Sequence, residues 1–292
     1  MRGLAEYIMR GSRQATLVVA VTAAIPLLFW FSAAALALVI LRRGLNDALS
    51  VLVWGALPAL AWAAMGDLTP LLVILGSAAL AVLLRQRNDW AVVVLAGVPL
   101  GVVYAVVLQA VFNEPLVALA TQIREMLPEL LAGMNGALDE AGMAHLEALL
   151  VPVLAGLMGA VHAIMVLVSL MIGRSWQARL YNPGGFREEF HRLRLSPWVA
   201  IGLLVLTLLG PQWPGLAIVA PAASIPLLLA GLALMHGVVG IKNLGTVWLV
   251  GLYAMFVFVA QFVYPLIMFF AFVDSLFDFR SRMRPHNGPA GD

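Results

Sequence analysis

The chain has 292 residues, of which 63% are hydrophobic and 11% charged, with a formal net charge of +2 and no cysteine. A soluble domain carries roughly a quarter charged residues, so this composition excludes a water-facing globule. The missing thiols exclude disulfides, thiolate metal sites, iron–sulfur clusters and cysteine nucleophiles.

Mean hydropathy is +0.98, and lipid is the solvent that suits such a chain. The lipid bilayer is therefore its expected partner. All basic residues but Lys242 are arginine, and they punctuate the apolar runs instead of gathering on one polar domain. That pattern belongs to cytoplasmic loops of membrane proteins and excludes nucleic acid as a partner.

About 20 apolar residues cross a bilayer as a helix. The first 37 residues imitate a secretory signal, with Arg2, Arg10 and Arg13 before an apolar stretch and a Ser-Ala-Ala-Ala-Leu-Ala run at its end. An uncleaved first segment of a multi-span protein has the same composition, and the chain is read that way. Thr16 to Leu41 is interrupted at Pro26 and at Trp30-Phe31. Leu45 to Met65, Leu68 to Leu84 and Trp90 to Phe112 are read as ordinary spans. Residues 113–148 form an outer loop, in which Leu116, Leu119, Ala120, Ile123, Leu127, Leu130, Leu131 and Met134 recur at helical spacing. This amphipathic helix is expected to rest on the membrane, to act as a lid, or to dock another subunit.

Leu149 to Gly173 is the next span, followed by a basic cytoplasmic loop over 174–197. Within that loop Tyr181-Asn182-Pro183-Gly184-Gly185 is a turn, and Phe186 to Leu195 is a short basic amphipathic helix suited to anionic lipid. Its Phe186, Arg187, Glu189, Phe190, Arg192 and Arg194 are candidate interaction residues. Trp198 to Leu209, Leu216 to Val239 and Leu244 to Val273 complete the apolar runs. The tail 285–292 is polar, Gly/Pro-rich and expected to be disordered.

If every arginine group faces the cytoplasm, both termini are inside and the acidic outer loop is outside. Arg13 and Arg42 then share a side although only 28 residues lie between them, too few for two full spans. Thr16 to Leu41 must be a pair of short helices broken near Pro26 to Phe31. Leu244 to Val273 must likewise cross an even number of times, with a break expected near Pro265. The expected fold is all-α: a polytopic transmembrane helical bundle of eight to ten membrane helices, short or broken ones included, as one domain over residues 1–284. The expected location is the bacterial inner (cytoplasmic) membrane.

No HExxH, GxSxG, Walker or Gly-rich phosphate motif is present, and His145, His162, His191, His236 and His286 show no i, i+4 pairing. The chain is therefore read as no enzyme, with no metal site, no catalytic residue and no cofactor. Polar groups forced into lipid are more informative, because each costs free energy unless it faces a partner or a cavity. His162, His236, Gln109, Tyr104, Gln261 and Tyr264 are candidate ligand-binding residues; interhelical hydrogen bonding is the ordinary explanation for each. Ala155, Gly159 and Ala163 form a small-residue row for close helix packing, as do Ala233 and Gly237. Asp274, Asp278 and Arg280 read as an ion-pair cluster fixing a helix end.

The Leu41-Arg42-Arg43-Gly44 joint, the Gly185-Phe186-Arg187-Glu188-Glu189-Phe190 stretch running to Leu195 before a proline, Leu234-Met235-His236-Gly237 and Phe277-Asp278-Phe279-Arg280 together resemble the YybS-like family of bacterial integral membrane proteins. That family is distantly similar to the substrate-binding membrane subunits of energy-coupling-factor transporters, although this chain has more expected helices and a longer outer loop. The resemblance implies uptake of a small-molecule solute with a membrane or cytoplasmic partner subunit that supplies energy. The competing expectation is a non-transporting membrane scaffold or regulatory partner; a conical, polar-lined cavity reached from the outer side would favour the transporter, and a solid, close-packed bundle the scaffold.

Overall fold

A computed structural model describes residues 2–132 and 139–283. Met134, Arg284, His286 and the expected disordered tail 285–292 lie outside the described residues. Regular structure among the described residues is helical throughout, with α1 Arg2–Met9, α2 Ser12–Ala24 and α3 Phe29–Arg43 first in order.

The α2–α3 joint shows how sequence breaks the first apolar run. Pro26 occupies the second position of a turn closed by the Leu28 N–H donating to the Ile25 carbonyl at 3.1 Å, and Leu27 takes φ 66° at the third. Proline followed by a positive φ is the type II pattern. The helices it joins have 13 and 15 residues, about 20 Å each at 1.5 Å per residue, and they fold back on one another, with Ser32 Oγ donating to the Val19 carbonyl at 2.9 Å. From Ala33 to Leu41 every residue of α3 is buried, as expected of a helix apolar all round.

Leu45 to Met65, expected as one ordinary span, is a bent pair: α4 Leu45–Gly55 and α5 Leu57–Ala64, at 46°. Pro58 has no N–H for the carbonyl one turn back, which places the break at Ala56. Next come α6 Thr69–Arg87 and α7 Trp90–Val111. Asn88, at φ 49°, closes α6, and the Asp89 carboxylate accepts from the Ala91 N–H at 2.8 Å to open α7.

The outer segment contains α8 Asn113–Ala132, whose Leu116 and Ala120 are buried, whereas Leu119 of the expected apolar stripe is exposed. After it α9, Glu140–Tyr181, runs for 42 residues, about 60 Å and twice a bilayer core of about 30 Å. It overruns the expected span at both ends. Residues 174–181, expected in the basic loop, are its last two turns. They stay helical because Trp176 is buried against Phe31, with ring centroids 6.1 Å apart, and because the Arg174 guanidinium has fixed partners.

Beyond the turn at Asn182 to Gly184 lie α10 Gly185–Arg192 and α11 Pro197–Leu209, bent 72° from one another. A single 3-10 turn over Gly210–Gln212 leads to α12 Pro214–Ala217 and α13 Ala220–Ile241, and the chain closes with α14 Val247–Phe258, α15 Ala260–Phe277 and α16 Phe279–Met283. The break in the last apolar run falls at Val259 (φ −135°, ψ 41°) and not near Pro265, which lies inside α15. A proline disturbs the turn preceding its own residue, so a discontinuity upstream of it is the relaxed solution.

Five described helices are long and apolar enough to cross a membrane, or up to seven if each bent pair is one span. The eight to ten expected exceed this measure because α2, α3 and α14 are too short to meet it. Among those that meet it, α7 and α9 cross most intimately: a Cβ on Gly159 would strike the Gly101 carbonyl and stand 2.7 Å from the Ala105 nitrogen. The small-residue row therefore brings two backbones together inside one chain.

Candidate functional site

Arginines gather helix ends at one pole of the bundle. Arg43 Nη2 donates to the Met9 carbonyl at 2.6 Å, and Arg85 Nη1 to the Leu41 carbonyl at 2.7 Å. Gln177 Nε2 reaches the same Leu41 carbonyl at 3.1 Å. Arg194 donates to the carbonyls of Asp274 and Ser275 and to Asp278 Oδ2, at 2.9–3.1 Å. The final carbonyls of a helix lack partners and carry the negative end of its dipole, so a guanidinium satisfies both needs. Arg280 is buried, with its guanidinium on Asp274 Oδ2 at 2.8 Å and on the His191 and Leu193 carbonyls at 2.7 and 2.9 Å.

α10 is strapped to this pole. Glu189 accepts from Trp90 Nε1 at 3.1 Å and from the Arg174 guanidinium, and Phe186 lies edge-on to Trp90 and stacked on Phe190. Of the candidate interaction residues, Phe186, Glu189, Phe190 and Arg194 are thus engaged within the chain. Arg192 is exposed and pairs with Glu188 at 3.6 Å. Arg187 is exposed and forms no ion pair with another described residue.

His236 on α13 meets α10 here. Its ring is 5.5 Å from Phe190 and 6.3 Å from His191, and its Nε2 is 2.8 Å from the Tyr253 hydroxyl on α14. Gly240 permits the approach, because a Cβ there would stand 2.8 Å from His191 Cε1. The helices enclose a pocket of about 400 Å³ lined by Arg187, His191, His236, Asn243 and Thr246 among others. Partial burial lowers the His191 pKa, and the positive charges of Arg187 and Arg280, with His236 beside them, lower it further. These surroundings favour the neutral imidazole.

The other sequence candidates lie elsewhere and share no partner with His236. His162 on α9 is buried, with Nδ1 2.7 Å from the Met158 carbonyl and Nε2 3.3 Å from Thr69 Oγ1. A carbonyl only accepts, so Nδ1 carries a proton, and the threonine hydroxyl can serve Nε2 as donor or acceptor. Tyr104 stands edge-on to His162 at 6.3 Å and donates to the Leu72 carbonyl at 2.6 Å. Tyr264 donates at 2.5 Å to Ser224 Oγ, which donates to the Pro221 carbonyl. Both line an apolar cavity of about 410 Å³. Gln109 is half-buried and Gln261 exposed, and neither lines the pocket at His236. His162 and His236, considered together on sequence, belong to separate places.

Sequence reasoning passed over His191, Asn243 and Thr246 as site residues. One signal was available: Arg187 and His191 are four apart and share a helix face. Among the described residues no group of three or more His, Asp or Glu side chains could hold a metal ion. No family model matches the chain, and no curated protein or solved structure matches it either.

Proposed function

We propose that this chain is a multi-pass protein of the bacterial inner (cytoplasmic) membrane, transporter-like in construction, that binds a small solute in the pocket between α10, α13 and α14. The observation that carries this reading is the pocket's place at two interruptions of the chain, the 72° bend after α10 and the break between α13 and α14. Discontinuous helices leave backbone and polar side chains available to a ligand. No nucleotide-binding motif is present in the sequence, so energy for movement comes from a partner subunit. The resemblance to the YybS-like family, and through it to energy-coupling-factor substrate subunits, agrees with this reading.

In this proposal the arginine-rich pole faces the cytoplasm, both termini lie there, and eight to ten helices enter the membrane with α2, α3 and α14 as the short ones. The α2–α3 hairpin supports this arrangement, because Arg43 returns to the end of α1. α10 lies at the cytoplasmic interface, outside the spans. Solute binding and not catalysis is the proposed activity.

Native mass spectrometry of protein gently extracted from its own membrane tests the proposal. A retained small molecule, lost in His236→Phe and kept in His162→Phe, is the expected result. A second reading, a non-transporting scaffold or regulatory partner, is favoured by the close α7–α9 crossing and by the internal satisfaction of His162 and Tyr104. Retention of a protein subunit with no small molecule would select it.

A further inference from the structure

The pocket at His236 does not end in protein. It shares Val239, Leu244 and Leu249 with an apolar groove of about 590 Å³ between α13 and α14, walled by Met235, Trp248, Gly251 and Leu252. One end of this composite cavity is therefore cationic and hydrogen-bonding, and the other is hydrocarbon-like. Resting on the proposed solute pocket, we propose that the two parts form one site for a single anionic lipid, its phosphate held at Arg187 and an acyl chain lying along α14.

Charge decides the head end. The acidic side chains that form ion pairs on or beside α10 do so with other arginines: Glu188 with Arg192, Glu189 with Arg174, Asp274 with Arg280 and Asp278 with Arg194. None of them is the counter-ion of Arg187, and no acidic residue lines the pocket where it opens. A guanidinium recognises phosphate through paired N–H donors. The neutral His191 ring, the Asn243 amide and the Thr246 hydroxyl add donors that need no charge.

Shape decides the tail end. None of the 12 residues of α14 is buried, and Val247, Trp248, Val250 and Met255 are more than half exposed. The helix stands off α13 by enough to leave a channel, and the channel runs directly from the cationic pocket. A free anion would fill the head and leave the groove empty; a phosphate-bearing lipid fills both. A basic interfacial helix beside such a groove is where anionic lipid accumulates in a cytoplasmic leaflet.

The full-length protein, delipidated in detergent, is titrated with dioleoyl phosphatidic acid, dioleoyl phosphatidylcholine and glycerol 3-phosphate, and bound species are counted by native mass spectrometry. Phosphatidic acid is expected to bind at least tenfold more tightly than phosphatidylcholine, with glycerol 3-phosphate unable to compete. Arg187→Gln should abolish the preference. Gly251→Leu tests the groove independently: a Cβ at Gly251 meets nothing within 4 Å, so the variant folds normally while its side chain fills the channel, and phosphatidic acid should bind at least fivefold more weakly. Equal binding of the two lipids, or a preference that survives both variants, overturns the proposal. Tight binding of glycerol 3-phosphate that needs Arg187 but ignores Gly251→Leu overturns the lipid and leaves the solute pocket standing. Binding of none of the three ligands in an Arg187-dependent manner overturns the lipid; the solute pocket is overturned separately, by His236→Phe protein that keeps the small molecule retained from its own membrane.

Discussion

Replacing Arg280 by methionine would leave the Asp274 carboxylate 2% exposed, with the Phe279 N–H at 3.0 Å as its surviving donor. Removing one partner of a buried ion pair costs about 3–5 kcal/mol, because the remaining charge keeps its desolvation penalty and loses its compensation. Here the carbonyls of His191 and Leu193 lose donors as well, each worth about 1 kcal/mol. The expected loss is therefore near the upper end, roughly 5 kcal/mol. Asp274→Asn in the same chain removes the orphaned charge and should restore at least half of that loss. Equilibrium unfolding in mixed detergent micelles, followed by tryptophan fluorescence, measures both. The linker at residues 193–196, which the Arg280 guanidinium ties to α15 and α16 through the Leu193 carbonyl, should become open to protease in Arg280→Met and close again in the double variant. A single-variant loss under about 1 kcal/mol, or strictly additive single and double losses, would refute the reasoning.

At the α7–α9 crossing, Gly159→Ala should cost about 1–3 kcal/mol by overpacking, whereas Gly202→Ala, where a Cβ meets nothing within 4 Å, should be neutral or slightly stabilising in the same unfolding assay. The lowered pKa of His191 makes a pH prediction. The unfolded imidazole takes a proton as pH falls through 6.5 and the folded one resists, so stability drops from pH 7 downward until the folded group also protonates. Thermal scans should show this slope, and His191→Gln should flatten it; an unchanged slope in the variant assigns it to another group. The chain has no cysteine, so single cysteines can report sidedness directly. In intact cells a membrane-impermeant thiol reagent should label Glu125→Cys and should not label Arg13→Cys or Arg282→Cys. Labelling of either arginine position from outside contradicts the proposed orientation. Finally, Glu189→Gln should loosen α10 from Trp90 and Arg174, read as a red-shifted tryptophan emission.

The suitability of these helices for lipid was legible from composition, because lipid demands helices whose backbone bonds close within the segment, and five described helices are long and apolar enough to cross a membrane. The interruption near Pro26 was legible for the same local reason, since proline and its neighbours act within one turn. Pro265 shows the limit: the ring forbids one hydrogen bond, but the break lies at Val259, upstream of the turn that the proline disturbs. The Asp274 to Arg280 cluster was visible because its members are six residues apart. The meeting of His236 with His191 was not, because those residues are 45 positions apart and nothing local encodes which helix faces touch. Sequence also marked where arginines end the apolar runs, but only the tertiary structure turned them into caps on the carbonyls of other helices. A charge at a membrane edge is a property of its own segment, whereas the partner it finds depends on how all the segments pack.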